Sequence, residues 1–320
     1  MKENFNSVND CDTNNIAIDL GTANTPIYVK GKGIKICEPS YIAIDSQEGK
    51  IVAAGHEAKH MQGRVPKHIE VIRPMKHGVI SNFEAVIKML SIYMRRLYRE
   101  NSIIGPKVII GLPSKASSVE ERTVIEALTQ AGAREVFTVE QSVAAAIGAG
   151  IHVLDPRGYM VIDIGGGSTQ VSVISMGESI VNESLDVAGD DLTEKVIDFM
   201  RQKNNTAIGN NTAEEIKIFL GSAYPHPDEM SMIVKGSDLI SGLPKTVKIH
   251  EGEIREILAE TLKEMFDIIK LGLEKTPSDL MNDIQENGII LTGGSCLLKG
   301  LDKVIEHITG LPVKIARDPI

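Results

Sequence analysis

One local pattern occurs twice in this chain. Ile18-Asp19-Leu20-Gly21-Thr22-Ala23-Asn24-Thr25 reappears as Ile162-Asp163-Ile164-Gly165-Gly166-Gly167-Ser168-Thr169. Each copy is an apolar strand ending in aspartate, a tight glycine-bearing turn with hydroxyls, and a returning strand. Glycine lets backbone come close to a ligand, and successive turn N–H groups form an anion-binding nest. One such hairpin alone is equally well an ordinary turn. Two copies, one in each half, predict a duplicated chain whose paired loops grip a triphosphate from both sides. Asp19 and Asp163 would then stand at the base of the cleft, where carboxylates that hold metal-bound waters suit Mg²⁺. The alternative is that each aspartate merely ends its strand by turn chemistry.

A chain of 320 residues is longer than one ordinary domain needs, which agrees with two lobes. Its hydrophobic fraction of 42% and charged fraction of 24% are those of a globular protein. A net charge of −9 argues against nucleic acid as the main partner, because phosphate backbones attract surplus Lys and Arg. Cys11, Cys37 and Cys296 are far apart and odd in number, which predicts neither a disulfide framework nor a zinc site and fits a reducing cytosol. The polar start predicts a disordered lead-in over residues 1–14 and no signal peptide. No apolar run approaches a membrane span in length.

Strands are expected at Ile16–Leu20, Pro26–Val29, Lys107–Gly111, Val136–Val139, Tyr159–Ile164, Gln170–Ser175 and Ile289–Thr292, with short strands of a small sheet at Ile34–Ile44 and Ile51–Ala54. Helical periodicity runs over Phe83–Glu100, Ser118–Ala131, Ser142–Gly150, Asp190–Asn204, Thr212–Leu220, Glu251–Glu274 and Gly300–Thr309. A third glycine-rich element, Leu291-Thr292-Gly293-Gly294-Ser295-Cys296-Leu297, also follows a buried strand. It can present backbone to an adenosine, or serve as a plain strand-to-helix turn.

In order and spacing, DLGTAN, DIGGGST and LTGGS resemble the two phosphate loops and the adenosine loop of the superfamily that holds actin, the heat-shock chaperones and the sugar kinases. The further segments IAIDLGTANT, YVKGKGI, EPS, IRPMKHGVI, AAAIG, LEKTP and GIILTGGSCLLKGLD resemble the bacterial actins of the MreB family, from about Asn15 to Pro319. The resemblance implies an α/β, actin-like ATPase fold: two duplicated ribonuclease H-like domains, four subdomains and a central nucleotide cleft for ATP and Mg²⁺. It places domain I at 15–145 with a small subdomain about 32–64, and domain II at 146–320 with a small subdomain about 184–252. By position, Gly21, Thr22, Ala23, Asn24 and Gly165, Gly166, Gly167, Ser168, Thr169 become phosphate loops, and Asp19 and Asp163 take the metal-water roles. Gly293, Gly294 and Leu297 would cradle the adenosine near Gly189. Glu214 and Lys217 would flank ribose and base, although their spacing alone equally fits a helical ion pair.

Three departures modify that picture. Gln141 stands where the family has the glutamate that positions the attacking water, with Ser142 in place of proline, and Gln170 replaces an acid after the second loop. Glutamine orients water by hydrogen bonding but is a poor base, so with Gln141, Thr169 and Gln170 as the catalytic residues hydrolysis is expected to be slow or altered. Pro26 removes one N–H where the first returning strand begins, which an edge position would tolerate. The family continues beyond Asp318-Pro319-Ile320 into a segment that returns to domain I; its absence would mark a truncated or divergent paralogue.

The resemblance further implies filaments of self-associated subunits that govern rod cell shape with cell-wall elongation proteins, in the cytoplasm. Asn101-Ser102-Ile103-Ile104-Gly105 matches the family's membrane-inserting loop, with Arg95, Arg96, Arg99 and Lys107 nearby for anionic headgroups. Ile103 and Ile104 could instead fold onto the core. The competing functions are a soluble chaperone-like or sugar-kinase-like ATPase, and a nucleotide-binding paralogue that regulates another actin.

Overall fold

The structure, a computed structural model, describes residues 15–97, 105–225, 227 and 230–320. The expected lead-in, Cys11, Arg99 and the Ile103-Ile104 loop lie outside the described residues. The chain divides into two compact units, one ending at Gln141 and the other starting at Ser142.

The first unit runs β1 (Asn15–Ile18), β2 (Asn24–Val29), β3 (Gly33–Pro39), β4 (Ile42–Asp45), β5 (Ile51–Ala54), α1 (His56–Met61), β6 (Ile69–Ile72), β7 (Met75–Lys76), β8 (Val79–Ile80), α2 (Phe83–Leu97), β9 (Lys107–Leu112), α3 (Ser118–Gln130) and β10 (Glu135–Glu140). Its main sheet has the order β10-β9-β1-β2-β3. The strands β10, β9 and β1 are parallel, and β1, β2 and β3 antiparallel. Alternation sends Ile16, Ile18, Ile27, Val108 and Ile110 to one face, where they pack with Met89, Leu90, Tyr93 and Leu128 of α2 and α3. At about 1.5–3 kcal/mol per fully buried apolar side chain, this face anchors the unit. On the opposite face the register aligns Phe137, Ile109, Ala17, Tyr28 and Ile34 in one row across all five strands. Four of these are large and exposed: Phe137 51%, Ile109 48%, Tyr28 45% and Ile34 54%.

The segment expected as one strand of the small sheet, Ile34–Ile44, splits at Ser40. Its first part, β3, closes a hairpin onto β2 in the main sheet, and only β4 joins the small sheet β5-β4-β6. Three residues, Lys30 to Lys32, separate the paired Val29 and Gly33, and glycine at positive φ in the middle and at the far end of the turn (Gly31 75°, Gly33 76°) favours the hairpin.

The second unit contains α4 (Gln141–Gly148, whose first residue closes the first unit), β11 (Tyr159–Ile164), β12 (Thr169–Ser175), β13 (Glu178–Leu185), α5 (Gly189–Gln202), β14 (Thr206–Ala207), α6 (Asn210–Leu220), β15 (Ser231–Asp238), β16 (Pro244–His250), α7 (Glu251–Glu274), α8 (Ser278–Asn287), β17 (Ile289–Thr292), α9 (Leu301–Thr309) and β18 (Val313–Ile315). Its main sheet, β13-β12-β11-β17-β18, repeats the plan of the first unit. An antiparallel three-stranded meander is again extended by two parallel strands. The long α7 buries Ile254, Leu258, Leu262, Met265 and Ile269, a helical spacing, against this sheet. At Gly272 it comes so close that a Cβ would lie 2.6 Å from Val171 Cγ1. On the other face Val143 and Ala146 of α4 pack with Val161 and Ile174.

Candidate functional site

In the first unit, Asp19 emerges from β1 exposed and donates its N–H to the Pro26 carbonyl at 3.1 Å. Proline has no N–H to return that bond. Pro26 does not sit on an edge strand, since β2 lies between β1 and β3. It is accommodated because its missing donor falls at the open end of the β1–β2 ladder, beyond the Ile18–Ile27 pair.

The Gly21–Ala23 turn is held from three directions. Ser40 is fully buried, donates its hydroxyl to the Gly21 carbonyl at 2.6 Å and shares a hydroxyl contact of 2.9 Å with Thr25. The Ser40 N–H reaches the Ala23 carbonyl at 2.9 Å. Thr22, also buried, accepts the Gly78 N–H on its hydroxyl at 2.9 Å, and its carbonyl accepts Arg73 Nη2 at 3.2 Å. Arg73 lies over the Tyr41 ring, 5.4 Å from its centroid. A Cβ on Gly21 would meet the Asn24 carbonyl oxygen at 2.6 Å, so this position requires glycine on space alone. Ser40, Arg73 and Gly78 were not among the expected site residues. The signal was nonetheless present, in the EPS and IRPMKHGVI segments.

Gln141 opens α4 directly after β10, half-buried and packed over Gly111, whose Cβ would lie 3.5 Å from Gln141 Cα. A shallow depression of about 250 Å³ beside it is lined by Leu112, Pro113, Ser114, Glu121, Thr138 and Glu140. None of the turn residues lines it.

In the second unit the expected residues converge. The Gly165 N–H closes the turn on the Ser168 carbonyl at 3.0 Å. The Gly165 carbonyl accepts the Ser295 hydroxyl at 2.7 Å and the Gly189 N–H at 3.2 Å, and the Gly166 carbonyl accepts the Asp190 N–H at 2.7 Å. Thus the first amides of α5 and the third glycine-rich loop both hold the back of the turn. Lys217 Nζ, from α6, donates to the Gly189 carbonyl at 2.8 Å; Glu214 stands one turn before it, half-buried. Gly293, at φ 81°, would place a Cβ 2.3 Å from the Ile164 carbonyl oxygen and 2.5 Å from Asp163 Oδ1. Its N–H bonds the Pro319 carbonyl at 2.6 Å. Gly294 to Leu297 form one 3-10 turn, with Leu297 54% exposed.

Asp163 and Gln170 are paired across β11 and β12. Thr169, the next residue along, faces the other way: fully buried, it donates its hydroxyl to the Val187 carbonyl at 2.8 Å. Strand alternation therefore turns the Thr169 and Gln170 side chains to opposite faces of β12. Burial pushes the Asp163 carboxyl up to about 6, partly offset by the Thr292 hydroxyl at 3.3 Å. Burial also pushes the Cys296 thiol up to about 12, helped by the Asp163 charge. Among the described residues no group of three or more His, Cys, Asp or Glu forms a metal cage. A carboxylate this costly to ionise is one that a cation relieves, and Mg²⁺ commonly takes only one or two protein carboxylates beside waters and phosphates.

Two copies of one sheet plan, each carrying an aspartate-ended strand and a glycine-bearing turn, define the actin-like ATPase fold. The double-helical filament protein MamK has that fold too, with a TM-score of 0.79 at 17% identity over 96% of this chain and 95% of its own. The crystal structure of MreB 5 of Spiroplasma citri bound to AMPPNP superposes with a TM-score of 0.90 at 37% identity, covering 95% of this chain and 91% of that one. The cell shape-determining protein MreB of Escherichia coli K12 is 43% identical over 314 residues, 96% of this chain and 90% of the relative. Residues 13–320 match the MreB/Mbl protein family. This chain belongs to that family.

Proposed function

We propose that the chain is a nucleotide-gated cytoskeletal protein that binds ATP with Mg²⁺ and assembles into actin-like filaments that determine cell shape. The observation that carries this reading is the convergence, on the Gly165 turn, of the α5 N-terminus, Lys217 and the third glycine-rich loop. Turn amides whose carbonyls are tied back in this way are an ordinary means of holding phosphate. Family membership supports filament formation, and the Spiroplasma citri relative was crystallised with AMPPNP. Gly165, Gly166, Gly167 and Ser168 would hold phosphate oxygens from one unit, and Gly21, Thr22, Ala23 and Asn24 from the other. Gly293, Gly294 and Leu297 would face the adenosine, beside Glu214 and Lys217. Asp163 and Asp19 would hold Mg²⁺ through waters; the cation supplies charge neutralisation on the phosphates. Gln141, with Gln170, would orient the attacking water, and hydrolysis would be slow for want of a carboxylate.

Among the described residues no helix is long and apolar enough to cross a membrane. We place the protein in the cytoplasm, with peripheral contact at the inner membrane face through Ile103 and Ile104 and with cell-wall elongation proteins as partners.

High-speed pelleting with electron microscopy tests the reading, with Mg-ATP and without nucleotide, with and without anionic liposomes. Filaments that need Mg-ATP support it, and added pelleting with liposomes supports the membrane contact. A chain that binds ATP yet stays monomeric sinks autonomous assembly and favours a regulator of another actin, a reading that Gln141 and Gln170 already motivate. A chain that binds no ATP sinks both.

A further inference from the structure

An anion nest works only if its amide N–H groups face the ligand, so something must hold the carbonyls back. The peptides of both turns are trans, and in a trans peptide the C=O and the following N–H point to opposite sides. Fixing one therefore aims the other. In the first turn the Gly21 carbonyl is held by the Ser40 hydroxyl at 2.6 Å, which turns the Thr22 N–H away from Ser40. The Ala23 carbonyl is held by the Ser40 N–H at 2.9 Å, which turns the Asn24 N–H the same way. In the second turn the Gly165 carbonyl is held by the Ser295 hydroxyl at 2.7 Å, with the Gly189 N–H at 3.2 Å as a second donor. That aims the Gly166 N–H outward, and the Gly166 carbonyl is held back in turn by the Asp190 N–H.

We infer that Ser40 and Ser295 are positioning residues for the two phosphate turns: each draws back a turn carbonyl so that the next amide donor faces the ligand. The inference rests on the nucleotide reading and adds to it. Neither serine needs to touch the nucleotide. Their weights differ. Ser40 supplies the hydroxyl bond to Gly21 and, through its backbone, the bond to Ala23. Ser295 shares its acceptor with Gly189, so the second turn keeps one of two donors when the hydroxyl is lost. Ser295 also links the third loop to the second, so it ties the base contact to the phosphate contact within one unit.

The test is the dissociation constant of a fluorescent N-methylanthraniloyl ATP with Mg²⁺, measured on the full chain beside the melting temperature. Loss of one net hydrogen bond corresponds to roughly a fivefold to tenfold weakening. Ser40→Ala is expected at about that level, and Ser295→Ala at about threefold, because one donor remains. Ser40→Cys keeps the volume but donates weakly, and is expected to match Ser40→Ala. Ser295→Thr keeps the hydroxyl and is expected to bind like the unaltered chain, a rescue that a packing role would not produce. If Ser40 variants fail to fold, the half-exposed Ser295 pair decides alone. Binding by Ser295→Ala and Ser40→Ala within twofold of the unaltered chain overturns the inference and leaves the nucleotide reading intact. Failure of the unaltered chain to bind overturns the nucleotide reading itself, and this inference with it.

Discussion

The turn at Gly21 and the turn at Gly165 carry nearly the same sequence and are held by different means. The first is held by two side chains, Ser40 and Arg73, by the Ser40 N–H on the Ala23 carbonyl, and by the Gly78 amide on the Thr22 hydroxyl. The second is held largely by backbone, the opening amides of α5, with Ser295 in addition. Side-chain bracing makes a turn sensitive to single substitutions. Backbone bracing spreads the same task over a helix end that a substitution cannot easily remove.

The largest expected contrast is steric. Gly21→Ala must push a Cβ against the Asn24 carbonyl oxygen at 2.6 Å, whereas Gly165→Ala meets only the Ser168 oxygen at 3.5 Å. Urea unfolding should show a loss of about 3 kcal/mol for the former and under about 1 kcal/mol for the latter. Equal losses would break the comparison.

The next contrast concerns the aspartates. The folded Asp163 carboxyl is raised to about 6 from the ordinary 3.8. Its contribution to stability is complete below the unfolded value and is lost as pH rises through about 6. At pH 8 without ligand, Asp163→Asn should therefore be more stable than the unaltered chain, by on the order of 2 kcal/mol. Stabilisation by Mg-ATP should shrink in the same variant. Asp19→Asn, at an exposed carboxylate, removes no such cost, so a similar gain there would show that burial is not the cause.

Smaller effects separate the two threonines. Thr22→Val leaves the Gly78 N–H without its acceptor and Thr169→Val removes a buried hydroxyl bond, each costing about 1 kcal/mol by thermal or urea unfolding. Only Thr22→Val should also weaken ATP binding. A nucleotide defect in Thr169→Val with native stability would return its hydroxyl to the site. The smallest test costs no stability. In a Cys11→Ser background, a thiol reagent at neutral pH should modify the exposed Cys37 and spare the buried Cys296 until the chain unfolds. Early labelling of Cys296 would mean that the third loop opens in the native state.

Much of this was legible in the sequence because it is local. The span of α7, the strand Ile289–Thr292 and the two glycine turns follow from periodicity and turn chemistry within a few residues. The α3 start follows from Ser117 and Glu120, which cap each other. What was not legible is either weakly patterned or distant. Helix α8 is short and fully buries only Ile284, and the strands β15 and β16 each fully bury a single residue, Val234 and Ile249, so their apolar faces are thin. The braces of the turns lie 19, 56 and 130 residues from what they hold, and no window of sequence spans them. Thr169 shows the opposite case. It is adjacent to the site in sequence, but the strand's two-residue period turns it away.

The row Phe137, Ile109, Ala17, Tyr28 and Ile34 carries a practical warning for the bench. It is an adhesive strip about 19 Å wide at ordinary strand spacing, and nothing in its chemistry responds to ATP. Sediment formed through it would look like polymer on a gel and lack any nucleotide signature. Mild detergent should release such sediment and leave gated filaments alone, so the fraction that survives detergent and vanishes without Mg-ATP is the one that reports on assembly.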